Sequence, residues 1–249
     1  MTKFSVILPA AGTSSRFREK EKKPFTNLDG RAVWLRTAEL FITRDDVCQT
    51  LIVVAPEDQE MFRRRYAANL AFMNVQIVDG GKERFESVAN ALQVVKDEAE
   101  FVAIHDAVRP CLTKELIDAV FAEATKTGAA LLAVPVTDTI KRATSQNVVE
   151  TTLSRDGLWL AQTPQVFRKD WLLQAYLKRE KLGKAAQLIT DDGQLLEAAG
   201  HAVHLIQGSP TNIKITTKED LALAEAILKA RPKPKGTGPI HPFGDEAQW

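Results

Sequence analysis

The sequence is poor in the features that announce several common functions. Only two cysteines, Cys48 and Cys111, occur in 249 residues, far apart and without a partner at metal-ligand spacing. That excludes a disulfide framework and a cysteine zinc site, and it fits a reducing, cytoplasmic setting. No sign of charge is in excess: 33 Lys plus Arg stand against 32 Asp plus Glu, a formal charge of +1, so no long-range field favours nucleic acid. No apolar run approaches the roughly 20 residues of a membrane helix. The short apolar stretch at 4–8, preceded by one lysine, reads as a first strand rather than a leader peptide.

Catalytic signatures are equally thin. Neither G-x-x-x-x-G-K-[ST] nor G-x-G-x-x-G occurs, so the P-loop and the dinucleotide fingerprint are both excluded. The four histidines, at 105, 201, 204 and 241, lack zinc-ligand spacing, and neither a C-x-x-C nucleophile nor a Ser/His/Asp set can be assembled. There is also no Asp-x-Asp triplet of the kind that holds metal in sugar-transferring enzymes.

What is present is a globular balance, 45% hydrophobic and 26% charged. Short β-branched or apolar runs near 4–8, 50–55, 74–78, 101–105, 129–134, 164–167 and 202–206 alternate with helical-period segments. The latter lie near 31–43, 57–70, 84–98, 113–127, 169–180, 191–199 and 218–229. This alternation predicts an α/β fold, a mostly parallel sheet flanked by helices. Thr113 and Thr217 stand ahead of acidic first turns and mark helix starts. The polar, Thr-rich stretch 136–158 lacks the apolar content of a sheet crossover and predicts a projecting arm. The Pro- and Gly-rich residues 231–249 predict a mobile tail beyond a single domain spanning 1–230.

Three clusters lie just beyond predicted strands, where ligands bind in open α/β sheets. In Pro9-Ala10-Ala11-Gly12-Thr13-Ser14-Ser15-Arg16, the small residues let backbone N–H groups approach phosphate, while Arg16 and Lys23 can meet its charge. A plain strand-to-helix turn and a solvated charge run after it account for the same residues equally well. Asp79-Gly80-Gly81-Lys82-Glu83-Arg84 admits either close approach of a flat base or a tight turn. In His105-Asp106-Ala107-Val108-Arg109-Pro110, Asp106 can serve a hydroxyl or a metal and Arg109 a phosphate, or the two can simply pair.

Taken together and in order, these segments resemble the 2-C-methyl-D-erythritol 4-phosphate cytidylyltransferase family. The likeness adds Ser87, Asp138-Thr139-Ile140-Lys141, Gly157-Leu158-Trp159, Gln162-Thr163-Pro164-Gln165, Thr190-Asp191-Asp192 and Asn212-Ile213-Lys214, and covers residues 4 to 229. The resemblance implies a Rossmann-like nucleotidyltransferase fold, a homodimer formed through the arm, and Mg²⁺. The implied reaction moves CMP from CTP to methylerythritol phosphate, releasing pyrophosphate, within non-mevalonate isoprenoid synthesis. Ala10, Ala11, Gly12, Thr13, Arg16 and Lys23 would hold the triphosphate, and Gly80, Gly81, Arg84 and Ser87 the cytosine and ribose. Asp106, Ala107, Arg109, Thr139, Thr163 and Lys214 would line the sugar-phosphate site, with Asp106 toward the metal, and Arg155 and Thr190 would reach it from the adjacent subunit. Ribitol-5-phosphate cytidylyltransferase shares three of these segments, and a non-catalytic nucleotide-binding protein on the same fold is a further alternative. Ser14 stands where a second glycine is common in the family, and Pro210-Thr211 where an acidic or aromatic residue often precedes Asn-Ile-Lys.

If Arg16 and Lys23 stabilise the transition state, alanine at either position lowers kcat on the order of 10² to 10³ in a folded protein. Steady-state kinetics on both variants checks this, and near-normal turnover in both contradicts the roles.

Overall fold

A computed structural model describes residues 1–12, 22–179 and 189–232. Its first strand, β1 (Phe4–Pro9), is buried from Phe4 to Leu8, as a central strand covered on both sides must be. Phe4, Val6 and Leu8 join a core with Phe41, Phe62 and Phe121, while Ile7 joins a second with Val88, Ala91 and Phe167. The period-2 alternation of a strand divides the two cores between the two faces of the sheet.

After β1 come β2 (Asn27–Leu28), β3 (Arg31–Ala32), α1 (Val33–Ile42), β4 (Val47–Val54), α2 (Gln59–Met73), β5 (Val75–Asp79), α3 (Arg84–Leu92), β6 (Phe101–Ile104) and α4 (Lys114–Thr127). The remainder is β7 (Ala129–Pro135), β8 (Ile140–Ala143), β9 (Val149–Leu153), β10 (Trp159–Arg168), α5 (Lys169–Arg179), α6 (Asp192–Ala198), β11 (His204–Gln207) and α7 (Lys218–Ala230). The main sheet runs β11-β7-β10-β6-β1-β4-β5. All its neighbours are parallel except β10, which is antiparallel to both β6 and β7.

Two features of this order place the site. From β1 the chain moves outward through β4 and β5, then returns to β6 on the other side of β1, so the ends of β1 and β6 flank a topological switch point. Between β7 and β10 lies a hairpin, β8 with β9, in place of a crossover helix, and β10 therefore re-enters the sheet reversed. Gln165 of β10 sits opposite Ile104, the last residue of β6, so Gln162 and Thr163 arrive beside the carboxyl end of that strand.

The mostly parallel sheet and its flanking helices are as the sequence pattern predicts, with differences at element ends. The segment expected to be helical over 84–98 stops at Leu92 because Gln49 of β4 captures residues 94–96: its amide donates to the Val94 carbonyl at 2.9 Å, and its side-chain oxygen accepts from the Lys96 amide at 3.0 Å. The helix expected from residue 31 starts at Val33, since Asp29 (φ 50°) and Gly30 (φ 81°) turn β2 into β3. An Asp-Gly pair is a strong two-residue hairpin signal. Thr113 and Thr217 do cap α4 and α7, accepting from Leu116 and Asp220. Among the described residues no helix is long and apolar enough to cross a membrane.

Lys23-Pro24-Phe25 form a short 3₁₀ turn anchored by the fully buried Phe25, whose ring lies 5.4 Å from Phe62 in a cluster completed by Trp34 and Tyr66. Lys22, just before this turn, is fastened by ion pairs to Asp58 at 2.5 Å and Glu57 at 3.2 Å. Phe25→Ala is expected to cost about 3 to 5 kcal/mol of stability, read from the denaturant midpoint, and to lower turnover through loss of Lys23 placement.

Candidate functional site

A cavity of about 360 Å³ opens at the switch point. It is lined by Pro9, Ala10, Ala11 and Gly12 beyond β1, by Lys23 and Pro24, by 81–84 and Ser87 at the start of α3, by Asp106 and Val108 beyond β6, and by Lys214. Residues from five separate stretches of sequence thus face one space, most of them in loops at the carboxyl side of the sheet or in the helices that those loops enter.

The glycines set how closely these loops approach. A Cβ on Gly80 would stand 2.5 Å from the Ala11 Cβ and 3.2 Å from the Val54 carbonyl oxygen, so glycine is what lets the exit of β5 lie against the exit of β1. A Cβ on Gly81 would collide with Glu86. The Glu86 carboxylate accepts from the amides of Lys82 at 2.7 Å and Glu83 at 3.2 Å, and the Ser87 hydroxyl accepts from Gly81 N–H at 3.1 Å. The loop is therefore preset rather than dependent on a ligand for its shape.

Beyond β6 the chain bends sharply around Asp106, which is 7% exposed. Its Oδ2 lies 2.9 Å from Lys214 Nζ and 3.3 Å from Arg109 Nε. Burial favours the neutral acid, but Lys214, Arg84 and Arg109 outweigh it and hold this carboxyl well below the ordinary carboxylate range. Lys214 reaches the site because residues 212–215 run alongside the bend: Arg109 donates to the Asn212 carbonyl at 2.6 Å, and Ile215 N–H to the Val108 carbonyl at 2.9 Å.

His105 underpins the bend. The Asp106 amide donates to Thr163 Oγ1 at 3.1 Å, so the Thr163 hydroxyl proton is free to go to His105 Nδ1 at 3.0 Å; His105 Nε2 then carries the remaining proton and donates to the Arg109 carbonyl at 3.1 Å. This chain of donors assigns a single neutral tautomer. Burial agrees, lowering the imidazole pKa to about 4 despite Asp106.

On the α3 side, Arg84 lies 2.7 Å from Asp192 Oδ2, and Tyr176 donates to Asp192 Oδ1 at 2.6 Å. Burial opposes the Arg84 charge, yet Asp192 and then Asp106 more than compensate and raise its pKa. Burial and the Asp192 charge push the Tyr176 pKa well up, so its hydroxyl stays a donor. A second cavity, also about 360 Å³, shares Glu83 and Arg84 with the first and is lined further by Thr190, Asp191 and Asp192.

Of the residues singled out in the sequence, Ala10, Ala11, Gly12, Lys23, Gly81, Arg84, Ser87, Asp106 and Lys214 line the main cavity. Gly80, Ala107 and Thr163 are buried beside it, the Thr163 hydroxyl engaged with His105 and the Asp106 amide, and the Ala107 carbonyl accepting from Thr37 at 3.0 Å. Arg109 stands behind Asp106. Thr139 and Arg155 are exposed at the ends of the β8–β9 arm, where Arg155 donates to the Thr137 carbonyl; Thr190 lies on the second cavity beside Arg84 of its own chain. Thr13 and Arg16, and the tail from 233, lie outside the described residues. No sequence pattern marks Tyr176, and the tasks of Asp192 and His105 emerge only from their partners in the fold. Only the second aspartate of Thr190-Asp191-Asp192 offered a signal for the Arg84 partner.

A preset, cation-rich cavity at the carboxyl ends of a mostly parallel sheet, in a chain without a P-loop motif, suits phosphorylated ligands, and the comparisons with known proteins define the class as an α/β nucleotidyltransferase. A family model described as IspD: 2-C-methyl-D-erythritol 4-phosphate cytidylyltransferase matches residues 4–230. The chain belongs to that family. It is 42% identical over 235 residues to 2-C-methyl-D-erythritol 4-phosphate cytidylyltransferase of Rhodopirellula baltica, covering 90% of this chain and 94% of that one. To the like-named protein of Alkaliphilus oremlandii it is 40% identical, covering 93% and 97%. Among solved structures, that of Thermus thermophilus 2-C-methyl-D-erythritol 4-phosphate cytidylyltransferase superposes with a TM-score of 0.74 at 28% identity, covering 92% of this chain and all of that one.

The His105 assignment has a pH consequence. The imidazole is neutral in the fold but takes up a proton when unfolded below its ordinary value of 6.5, so its stabilisation is whole above 6.5 and lost as pH falls toward 4. The loss should be on the order of 3 kcal/mol. Nitrogen-15 spectra are expected to show one histidine protonated on Nε2 alone and not titrating until about pH 4. A set of histidines all titrating near 6.5 contradicts the network.

Proposed function

We propose that this cytidylyltransferase transfers CMP from CTP to 2-C-methyl-D-erythritol 4-phosphate, yielding the CDP-linked alcohol and pyrophosphate, and that the main cavity is where it does so. The carrying observation is the convergence of Lys23, Arg84 and Lys214 on one space whose buried carboxylate, Asp106, is already overcompensated by cations. A surplus of fixed positive charge is what two phosphorylated substrates need if they are to be brought together against their own repulsion.

The acceptor phosphate is anionic at neutral pH, so its oxygen can attack the α-phosphorus of CTP without a general base. The new P–O bond forms as the bond to the β-phosphate oxygen breaks, and the electron pair leaves with pyrophosphate. The protein's task is then in-line placement and charge stabilisation. Lys23, with Arg16, would hold the triphosphate; Gly81 and Ser87 would frame the base; Lys214 would face the acceptor phosphate, with Arg109 supporting Asp106 from behind. Thr163 would act indirectly, through His105 and the Asp106 amide.

Asp106 fits magnesium in a specific way. Lys214 and Arg109 take Oδ2, while no described group donates to Oδ1, and among the described residues no cluster of three His, Cys, Asp or Glu could cage a metal. One carboxylate oxygen together with substrate phosphates is how Mg²⁺ is commonly held. When bound there it would supply further neutralisation of phosphate charge.

The homodimer is part of the same reading. Val148, Val149, Leu158, Trp159 and Leu160 cluster in sequence on the arm and the start of β10, each at least 40% exposed, and a second copy would cover them and receive Arg155.

Pyrophosphate release from CTP and Mg²⁺ tests the reaction, with methylerythritol phosphate, ribitol 5-phosphate or no acceptor supplied. Release with methylerythritol phosphate alone is expected; release with ribitol phosphate alone transfers the chain to the sister activity, and release with neither removes the catalytic reading. Sedimentation at micromolar concentration should give a dimer, and a monomer would remove Arg155 from the site.

A further inference from the structure

Among the described residues Arg84 is the one cation that faces both cavities, and two carboxylates act on it, Asp192 in contact at 2.7 Å and Asp106, which lines the main cavity, through its field. Which of them it turns to decides where its guanidinium points. Asp106 already has Lys214 and Arg109 on it, yet its field still acts on Arg84. A long arginine side chain carries about 2 kcal/mol of rotamer entropy and does not hold one direction unaided.

The opposing hold comes from α6 and α5. Asp192 is 2% exposed, one oxygen 2.7 Å from Arg84 and the other accepting the Tyr176 hydroxyl at 2.6 Å, so tyrosine fixes the carboxylate that fixes the arginine. One guanidinium nitrogen of Arg84 meets Asp192 Oδ2 at 2.7 Å, and the charge of the pair holds the arginine in place.

We infer that Asp192 and Tyr176 are positioning residues for the nucleotide: they hold Arg84 back from Asp106, so that the guanidinium faces CTP instead of collapsing across the cavity. The inference rests on the reading that Arg84 belongs to the CTP site. Without Asp192, Arg84 turns to the remaining carboxylate and fills space the nucleotide needs. Without the tyrosine hydroxyl, the carboxylate loses one of its two fixed contacts and the arginine its fixed direction.

The test is a set of steady-state constants for Tyr176→Phe, Asp192→Asn and Asp192→Glu, each made alone and in an Arg84→Ala background. Asp192→Asn should raise the KM for CTP roughly tenfold and Tyr176→Phe roughly threefold, as loss of a buried contact to a charged group does. Both should raise the CTP KM by more than they change kcat or the acceptor KM, Asp192→Glu should restore part of the loss, and neither change should add anything once Arg84 is alanine. Tyr176→Phe keeps the ring that packs 6.1 Å from Phe85, so it carries the test should the buried aspartate variant not fold. If Arg84→Ala leaves the CTP KM unaltered, the site reading itself fails. If Arg84→Ala raises that KM while Tyr176→Phe and Asp192→Asn do not, or if their effects persist in full without Arg84, the positioning role is overturned.

Discussion

The site depends on one carboxylate held among three cations. Asp106 is buried in the bend after β6 with Lys214 and Arg109 on one oxygen and Arg84 within range, and the cations outweigh the burial that would otherwise neutralise it. Such an arrangement is a weak stabilising device, because desolvating these groups costs about as much as their attraction returns. Its usefulness lies in the imbalance. The cations Lys23, Lys82, Arg84, Arg109 and Lys214 outnumber the carboxylates Glu83, Asp106 and Asp192 around the cavity, so it favours anions although the chain as a whole is nearly neutral at +1.

Much of the surrounding structure can be understood as holding that bend. Asp106 cannot be placed without the neutral His105, which ties the Arg109 carbonyl to the Thr163 hydroxyl. Thr163 is available only because β10 runs antiparallel and brings its first half to the carboxyl end of β6. Lys214 is delivered by Asn212, whose side-chain amide donates to the Thr163 carbonyl at 2.9 Å while its backbone carbonyl receives Arg109. On the other side of the cavity, the aromatic cluster around Phe25 sets Lys23, and the close approach at Gly80 sets the loop that carries Arg84. Distant apolar packing and local charge geometry are thus parts of one constraint.

How far this could be read from the sequence depends on the range of each interaction. Strand and helix periodicity is local, so the existence and order of the seven main strands and seven helices were legible, although β10 starts at Trp159 rather than near 164 and α3 stops at Leu92 rather than near 98. Element ends were not, where a distant side chain intervenes, as Gln49 does after α3; at the β2–β3 turn the signal is local, the Asp29-Gly30 pair. The same division runs through the site. Lys23, Asp106 and Lys214 stand in segments whose residue types suit phosphate, and they do meet in one cavity. The internal engagement of the Thr163 hydroxyl and the Tyr176–Asp192–Arg84 chain involve partners 16 to 108 positions apart, which no spacing rule reports.

Everything in this reading turns on nucleotide and metal meeting at Asp106 in the main cavity. A crystal structure with a non-hydrolysable CTP analogue and Mn²⁺, located by its anomalous signal, decides the matter. Manganese is expected on Asp106 Oδ1 and a phosphate oxygen, the triphosphate toward Lys23, and the cytosine against Gly81 and Ser87. An analogue seated in the second cavity, or manganese bound away from Asp106, would refute that placement.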